Sequence, residues 1–170
     1  GGVIGTFHHL YFAGTPTAII ALGASFSALE VVPLVFMGFE AYHNLRLSRA
    51  TAWVKSYKWP IYFIISVIFW NRVVEGLFGF LINPPIALYY MQGLNTTPLH
   101  GHAALFGVFG MLGIGLMLFV LKGLTIKYVW KTKFISIAFW SLNAGLMLML
   151  LISLLPVGVL QTIASIKFGM

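Results

Sequence analysis

Four imidazoles stand in two tight groups, His8-His9 and His100-Gly101-His102, in a chain that is otherwise almost pure hydrocarbon. An imidazole surrounded by lipid must be paired, hydrated or bound, because an unsatisfied polar group there costs several kcal/mol. Neutral imidazole is a ligand for iron, copper and zinc. Adjacent histidines on a helix sit about 100° apart, so both can reach one ion. The competing reading of His8-His9 is an interfacial pair bonded to water or headgroups. Residues two apart point about 200° apart, so His100 and His102 face opposite sides of their helix. They cannot easily share a metal, but can serve two cofactors, one on each side. The alternative is a helix cap plus a packing histidine. Gly101 removes the side chain that would crowd a flat macrocycle. A further suspect is Glu30, since a carboxylate within a membrane pairs, ligates or relays protons. Its simpler reading is a protonated carboxyl bonded to Ser27 or to a backbone carbonyl. Arg72 and Glu75, spaced i, i+3, read as a pair neutralising one another on one helix face, or as a partner for a cofactor carboxylate.

The elements that must position these residues are membrane helices. The chain has 170 residues, of which 60% are hydrophobic and 8% charged, with mean hydropathy +0.97. Soluble domains carry about 25% charged residues, so the composition specifies an integral membrane protein, an all-α polytopic bundle. Four stretches are long enough to cross a bilayer: residues 15–39, 59–82, 98–121 and 134–160. They contain, in turn, Glu30; Arg72 and Glu75; His100 and His102; and no ionisable residue. A partial span ending near His8-His9 precedes them. The Met residues between 111 and 149 read as packing or lipid-facing, and Glu40 and His43 as solvated. The chain starts with no basic n-region, which speaks against a signal peptide and for a piece of something longer.

The net charge of +7 sits in two loops. Residues 40–58 carry Arg46, Arg49, Lys55 and Lys58, and residues 122–133 carry Lys122, Lys127, Lys131 and Lys133. Between them, residues 83–97 carry no charge and include Asn83-Pro84-Pro85, a turn signal. That alternation puts the basic loops in the cytoplasm and the Asn-Pro-Pro loop outside, and it argues against a nucleic-acid surface. Trp53, Trp59, Trp130 and Tyr128 flank the basic loops as an interfacial belt. Both histidine groups then lie toward the outer face. With no cysteine in the chain, disulfides, thiolate metal sites and C-x-x-C-H haem attachment are excluded within it.

Gly5-Thr6-Phe7-His8-His9-Leu10-Tyr11-Phe12-Ala13-Gly14 resembles the double-histidine motif of the haem–copper oxidase superfamily, and residues 96–107, around His100-Gly101-His102, resemble its H-x-H helix. Ala24–Pro33 with Glu30 resembles the glutamate-bearing helix of the nitric oxide reductase branch, which oxygen-reducing members lack. Residues 69–110 are most similar to the single-chain, quinol-dependent reductases. The resemblance implies that His8 and His9 ligate a non-haem iron, that His100 is the proximal ligand of a high-spin haem b, and that His102 is one axial ligand of a low-spin haem b that relays electrons. Glu30 would help supply protons. The implied reaction joins two nitric oxide molecules with two electrons and two protons to give N2O and water, with quinol or cytochrome c as donor. The implied setting is the lipid of a bacterial inner membrane, with the metal site toward the periplasm. A third non-haem histidine, its ligating Glu and the second low-spin haem ligand would lie upstream. Two stretches depart from the family pattern: Arg72-Val73-Val74-Glu75 replaces small apolar residues, and residues 165–170 lack an expected Glu-His. The competing functions are a terminal oxidase reducing O2 at haem and copper, and a haem-free transporter or proton channel with a histidine relay.

The charge alternation makes a direct prediction. In the full-length protein, a membrane-impermeant thiol reagent added outside should modify Gln92→Cys and spare Lys55→Cys. The reverse pattern would invert the topology and carry both histidine groups to the inner face.

Overall fold

Lipid offers no hydrogen bonds, so a backbone crossing it must satisfy its own groups, and a helix does so within one segment. The computed structural model describes residues 2–48 and 52–169; Gly1, residues 49–51 (the loop residue Arg49 among them) and Met170 lie outside the described residues. It is all-α, without a strand among the described residues. Four helical stretches are long and apolar enough to cross a membrane: Thr17–Asn44, Lys58–Ile82, Thr96–Leu124 and Lys133–Phe168. The protein is a multi-pass membrane protein. Its large apolar side chains turn outward along these spans, with Phe36 71% and Ile152 70% exposed, the reverse of a soluble helix face.

Each span is built from pieces whose joints have identifiable causes. The first joins α2 (Thr17–Ala28) to α3 (Val31–Ser48). Pro33 has no N–H for the carbonyl of Leu29, which instead accepts from Val32 N at 3.1 Å, and Glu30 N turns to Ser27 O at 3.0 Å. The helix therefore kinks at Leu29-Glu30. The second span runs from α5 (Lys58–Phe69) through a π-helical stretch, Trp70–Gly76, into α6 (Leu77–Ile82). The third runs from α8 (Thr96–His102) through π-helix Ala103–Gly110 into α9 (Met111–Leu124). The fourth runs from α10 (Lys133–Leu148) through π-helix Met149–Leu154 into α11 (Leu155–Phe168), where Pro156 withholds a donor from the preceding turn.

Three differences from the sequence reading have physical reasons. The fourth span continues to Phe168 and has 36 residues, roughly 54 Å of helix against a hydrocarbon core of about 30 Å. Its far end covers the loop before α8: Gln161 Oε1 accepts from Asn95 N at 2.8 Å, and Gly158 lets the backbone at Thr96 come close. That loop is itself partly helical. Pro84 caps α7 (Pro85–Met91), with Pro85 in the first turn, where its missing N–H goes unneeded. Ahead of the first span, α1 (Gly2–Gly5) and a 3₁₀ turn, Thr6–Leu10, carry His8 and His9. Gly14, at φ 71°, turns the chain toward Pro16 and the first span.

The main core lies between the second, third and fourth spans and holds Phe63, Trp70, Leu99, Met111 and Phe139. Trp70 is fully buried, and its Nε1 donates to Asn143 Oδ1 at 2.8 Å. Of Gly107, Gly110, Gly113 and Gly115 in the third span, two make room for a neighbouring span. A Cβ at Gly107 would stand 2.7 Å from Trp70 Cγ, and one at Gly115 would stand 3.1 Å from Phe63 Cβ. Gly113 faces open space, and Gly110 meets only its own helix at Leu105 and Phe106.

Gly107→Val should therefore overpack the Trp70 contact and destabilise the detergent-solubilised full-length protein by about 1–3 kcal/mol. Gly113→Ala should leave thermal stability unchanged. Equal melting temperatures for the two variants would show that the Trp70 contact is not tight.

Candidate functional site

The kink, the 3₁₀ turn and two of the π-helices converge on one cavity of about 340 Å³. His8, His9, Glu30, Glu75, Asn83 and His100 all line it, so residues from the N-terminal turn and three spans meet at one place. His8 and His9 pack ring to ring, with centroids 4.1 Å apart and planes tilted by 35°. His8 is buried, His9 exposed and His100 half-buried. His102 does not join them. It lines a second cavity of about 320 Å³ with Phe106, Ser141, Leu142, Gly145 and Met149, between the third and fourth spans. His100 and His102 thus open on opposite sides of one helix.

Three histidines share one hydrogen-bonding arrangement. His8 Nδ1 donates to Gly5 O at 2.5 Å, His100 Nδ1 to Glu75 O at 3.1 Å, and His102 Nδ1 to Pro98 O at 2.7 Å. A carbonyl oxygen only accepts, so the proton of each neutral ring sits on Nδ1 and the Nε2 lone pair is left free. Metal-binding histidines are oriented in this way.

Small residues make the approach possible. At Gly5 a Cβ would lie 2.8 Å from Glu30 Oε1, so the carboxylate of the kink packs directly on the histidine segment. Gly23 admits the backbone of His8, within 2.7 Å of where its Cβ would be, and Gly79 admits the His100 ring, with Cε1 at 3.0 Å. Gly101 lines the histidine cavity and has nothing within 4 Å of a Cβ position, which leaves a flat open wall beside His100. Across the cavity, Asn83 Nδ2 donates to Ser27 Oγ at 2.9 Å and ties the second span to the first.

Arg72 and Glu75 do not pair. A π-helix turns through roughly 4.4 residues, so residues i and i+3 stand about 115° apart instead of about 60°, while i and i+4 stay in line. Accordingly Asn71 Nδ2 donates to Glu75 Oε2 at 2.9 Å, and Glu75 lines the histidine cavity. The Arg72 guanidinium occupies the space that a side chain at Gly38 would fill, and lines a separate apolar cavity with Phe39 and Tyr42. Glu75 is the site residue that the i, i+3 spacing hides; the Asn71–Glu75 i, i+4 spacing is the signal that exposes it.

The residues suit haem and metal in their chemistry: free Nε2 lone pairs, a flat wall at Gly101, and carboxylates in the same cavity. Among the described residues, no group of three or more His, Cys, Asp or Glu side chains converges closely enough to hold a metal ion.

The family described as cytochrome c and quinol oxidase polypeptide I matches residues 1–167, and the chain belongs to it. It is therefore an oxidoreductase-family membrane chain of the haem–copper oxidase superfamily. It is also similar to a nitric oxide reductase subunit of Stutzerimonas stutzeri, at 31% identity over 112 residues. That match takes in 65% of this chain and 23% of the relative, so the chain spans less than a quarter of the relative's length there.

The separation of Arg72 from Glu75 can be measured. A double-mutant cycle of Arg72→Met with Glu75→Gln should give a coupling energy below about 0.5 kcal/mol, the range of independent sites. The cycle of Asn71→Leu with Glu75→Leu should give about 1 kcal/mol, because it removes the hydrogen bond between the two side chains. The opposite ranking would restore the ion pair.

Proposed function

We propose that this member of the family forms part of the catalytic core of a nitric oxide reductase, in which two NO molecules are joined to give N2O and water. The observation that carries this reading is the single cavity shared by His8, His9, Glu30 and His100. Nitrogen and oxygen donors together suit iron better than copper. The similarity to a nitric oxide reductase subunit supports the same choice of substrate.

In this reading His8 and His9 hold a non-haem iron through Nε2, His100 holds a high-spin haem b on the same side, and His102 holds a low-spin haem b in the second cavity. Bound there, these groups supply the electrons and the Lewis acidity for N–O cleavage. The chain's own residues do the rest. Gly5 O and Glu75 O hold two of the imidazoles by Nδ1 and keep Nε2 directed to its ligand. Phe80, Leu105 and Phe109 give the cavity an apolar wall by which a small neutral gas would enter from the lipid. Glu30, at the kink, lines the same cavity and is the acid group placed to pass protons to the reacting groups as one nitrogen–oxygen bond breaks. Electrons come from quinol or cytochrome c, and the cavity opens toward the outer side of a bacterial inner membrane.

The reading is tested in the full-length protein. His100→Ala should abolish the high-spin haem spectrum and NO turnover, while His102→Ala should perturb the low-spin spectrum, because the two side chains open on opposite sides of the helix. Loss of the same haem in both variants would defeat the assignment. Glu30→Gln keeps size and hydrogen bonding but has no exchangeable acid proton. Turnover should fall by roughly 10²-fold or more with both haem spectra retained, the scale of a lost general acid. Near-normal turnover would return Glu30 to a structural role.

A further inference from the structure

We propose that Glu75 is a second carboxylate of the metal cavity, and that its negative charge retains the metal ion held at His8 and His9. The inference rests on the metal-binding reading above and adds to it a residue from a different span.

Glu30 reaches the cavity from the first span and Glu75 from the second, and among the described residues no Lys or Arg lines it. The basic residue nearest in sequence, Arg72, is carried away by the π turn and lies against Gly38 in a separate cavity. Two carboxyl groups facing one membrane-embedded space without a basic side chain are both costly to ionise at low dielectric, and a cation in that space lowers the cost. A divalent cation relieves both. A second, independent feature also calls for a cation. The ring of His8 is 7% exposed and its Nδ1 is committed to Gly5 O; its Nε2 has no protein partner among the described residues, although the residue lines the same cavity. Asn71 donates to Glu75 Oε2, which steadies the carboxylate and leaves Oε1 without a partner among the described residues. Since no three donors converge among the described residues, Glu75 acts on the ion as a positioning charge, and the prediction concerns retention of the ion.

The test uses the full-length protein purified from membranes. Non-haem iron per protein is measured by elemental analysis during a timed challenge with EDTA, and the haem spectra are recorded alongside. In Glu75→Gln the iron should be stripped at least about 10-fold faster than in the unaltered protein, the scale of a lost supporting group at a metal site, with both haems kept. Arg72→Met should lose iron at the unaltered rate. Should Glu75→Gln fail to accumulate, Asn71→Leu, which releases the carboxylate from its amide donor, should speed iron loss to a measurable degree. Unaltered iron retention in Glu75→Gln, or in Asn71→Leu where that variant takes its place, overturns the proposal, as does equal loss in Arg72→Met. If the unaltered full-length protein carries no non-haem metal, the reading of His8 and His9 as ligands falls as well. If it carries iron that Glu75→Gln holds equally well, only the role of Glu75 falls.

Discussion

Inside a lipid-facing bundle a histidine must find its partner within the protein, and three of the five in this chain find a backbone carbonyl. That bond decides more than local stability. It holds the proton on Nδ1, fixes the ring plane relative to its helix and frees Nε2 for a metal. The carbonyls come from different places: Gly5 and Pro98 lie three and four residues before their histidines, whereas Glu75 O belongs to another span. The last contact needs the second and third spans to approach closely, so the aim of His100 depends on helix packing as a whole. Gly79 makes room for the ring on one side, and Gly107 lets Trp70 seat beside the same helix one or two turns further along.

Departures from ideal helical register do the aiming. The Pro33 kink places Glu30 at a bend, where its carboxylate meets Gly5 and not the flank of a straight helix. The π turn of Trp70–Gly76 sends Glu75 toward the histidines and Arg72 away from them. Without it, a salt bridge would form on one face, and a neutralised pair would bring no charge to the cavity. Such turns are locally less favourable than α-helix, and among the described residues all three contribute to histidine-lined cavities, in keeping with their usual association with functional sites.

Much of this is legible in the sequence, because it follows from composition and from the 3.6-residue period. Hydrophobic runs mark four spans, and the spacing of two residues puts His100 and His102 on opposite sides of a helix. The convergence of His8-His9 with His100 follows from loop charges alone, which put both groups on one side of the membrane. The period itself hides the rest. Arg72 and Glu75 look like a pair only if the helix is α throughout, and nothing in Trp70-Asn71-Arg72-Val73-Val74 announces an extra residue per turn. Likewise, Gly113 and Gly107 are indistinguishable by type, since the difference between them is which neighbour happens to stand opposite. The helix at Pro85–Met91 is masked because Asn-Pro-Pro ends one helix, while the same prolines also begin the next. The extension of the fourth span to Phe168 is masked in another way, since the thickness of a bilayer sets no upper limit on the length of a helix.

The third span stands between the two histidine-lined cavities, and the core packs that span against its neighbours. Trp70 enters from the second span at Gly107 and fastens its indole N–H to Asn143 of the fourth. Asn143 in turn donates to Phe139 O at 2.8 Å, so both ends of its amide are committed. This clamp joins the second, third and fourth spans, and neither Trp70 nor Asn143 lines either histidine cavity. A reaction in which electrons pass from one side of a helix to the other needs a constant distance across it and freedom to place different chemistry on each side. The hydrogen-bonded link from the buried Trp70 to the half-buried Asn143 serves the first need. The one-residue gap at Gly101, which turns His100 and His102 to opposite faces, meets the second.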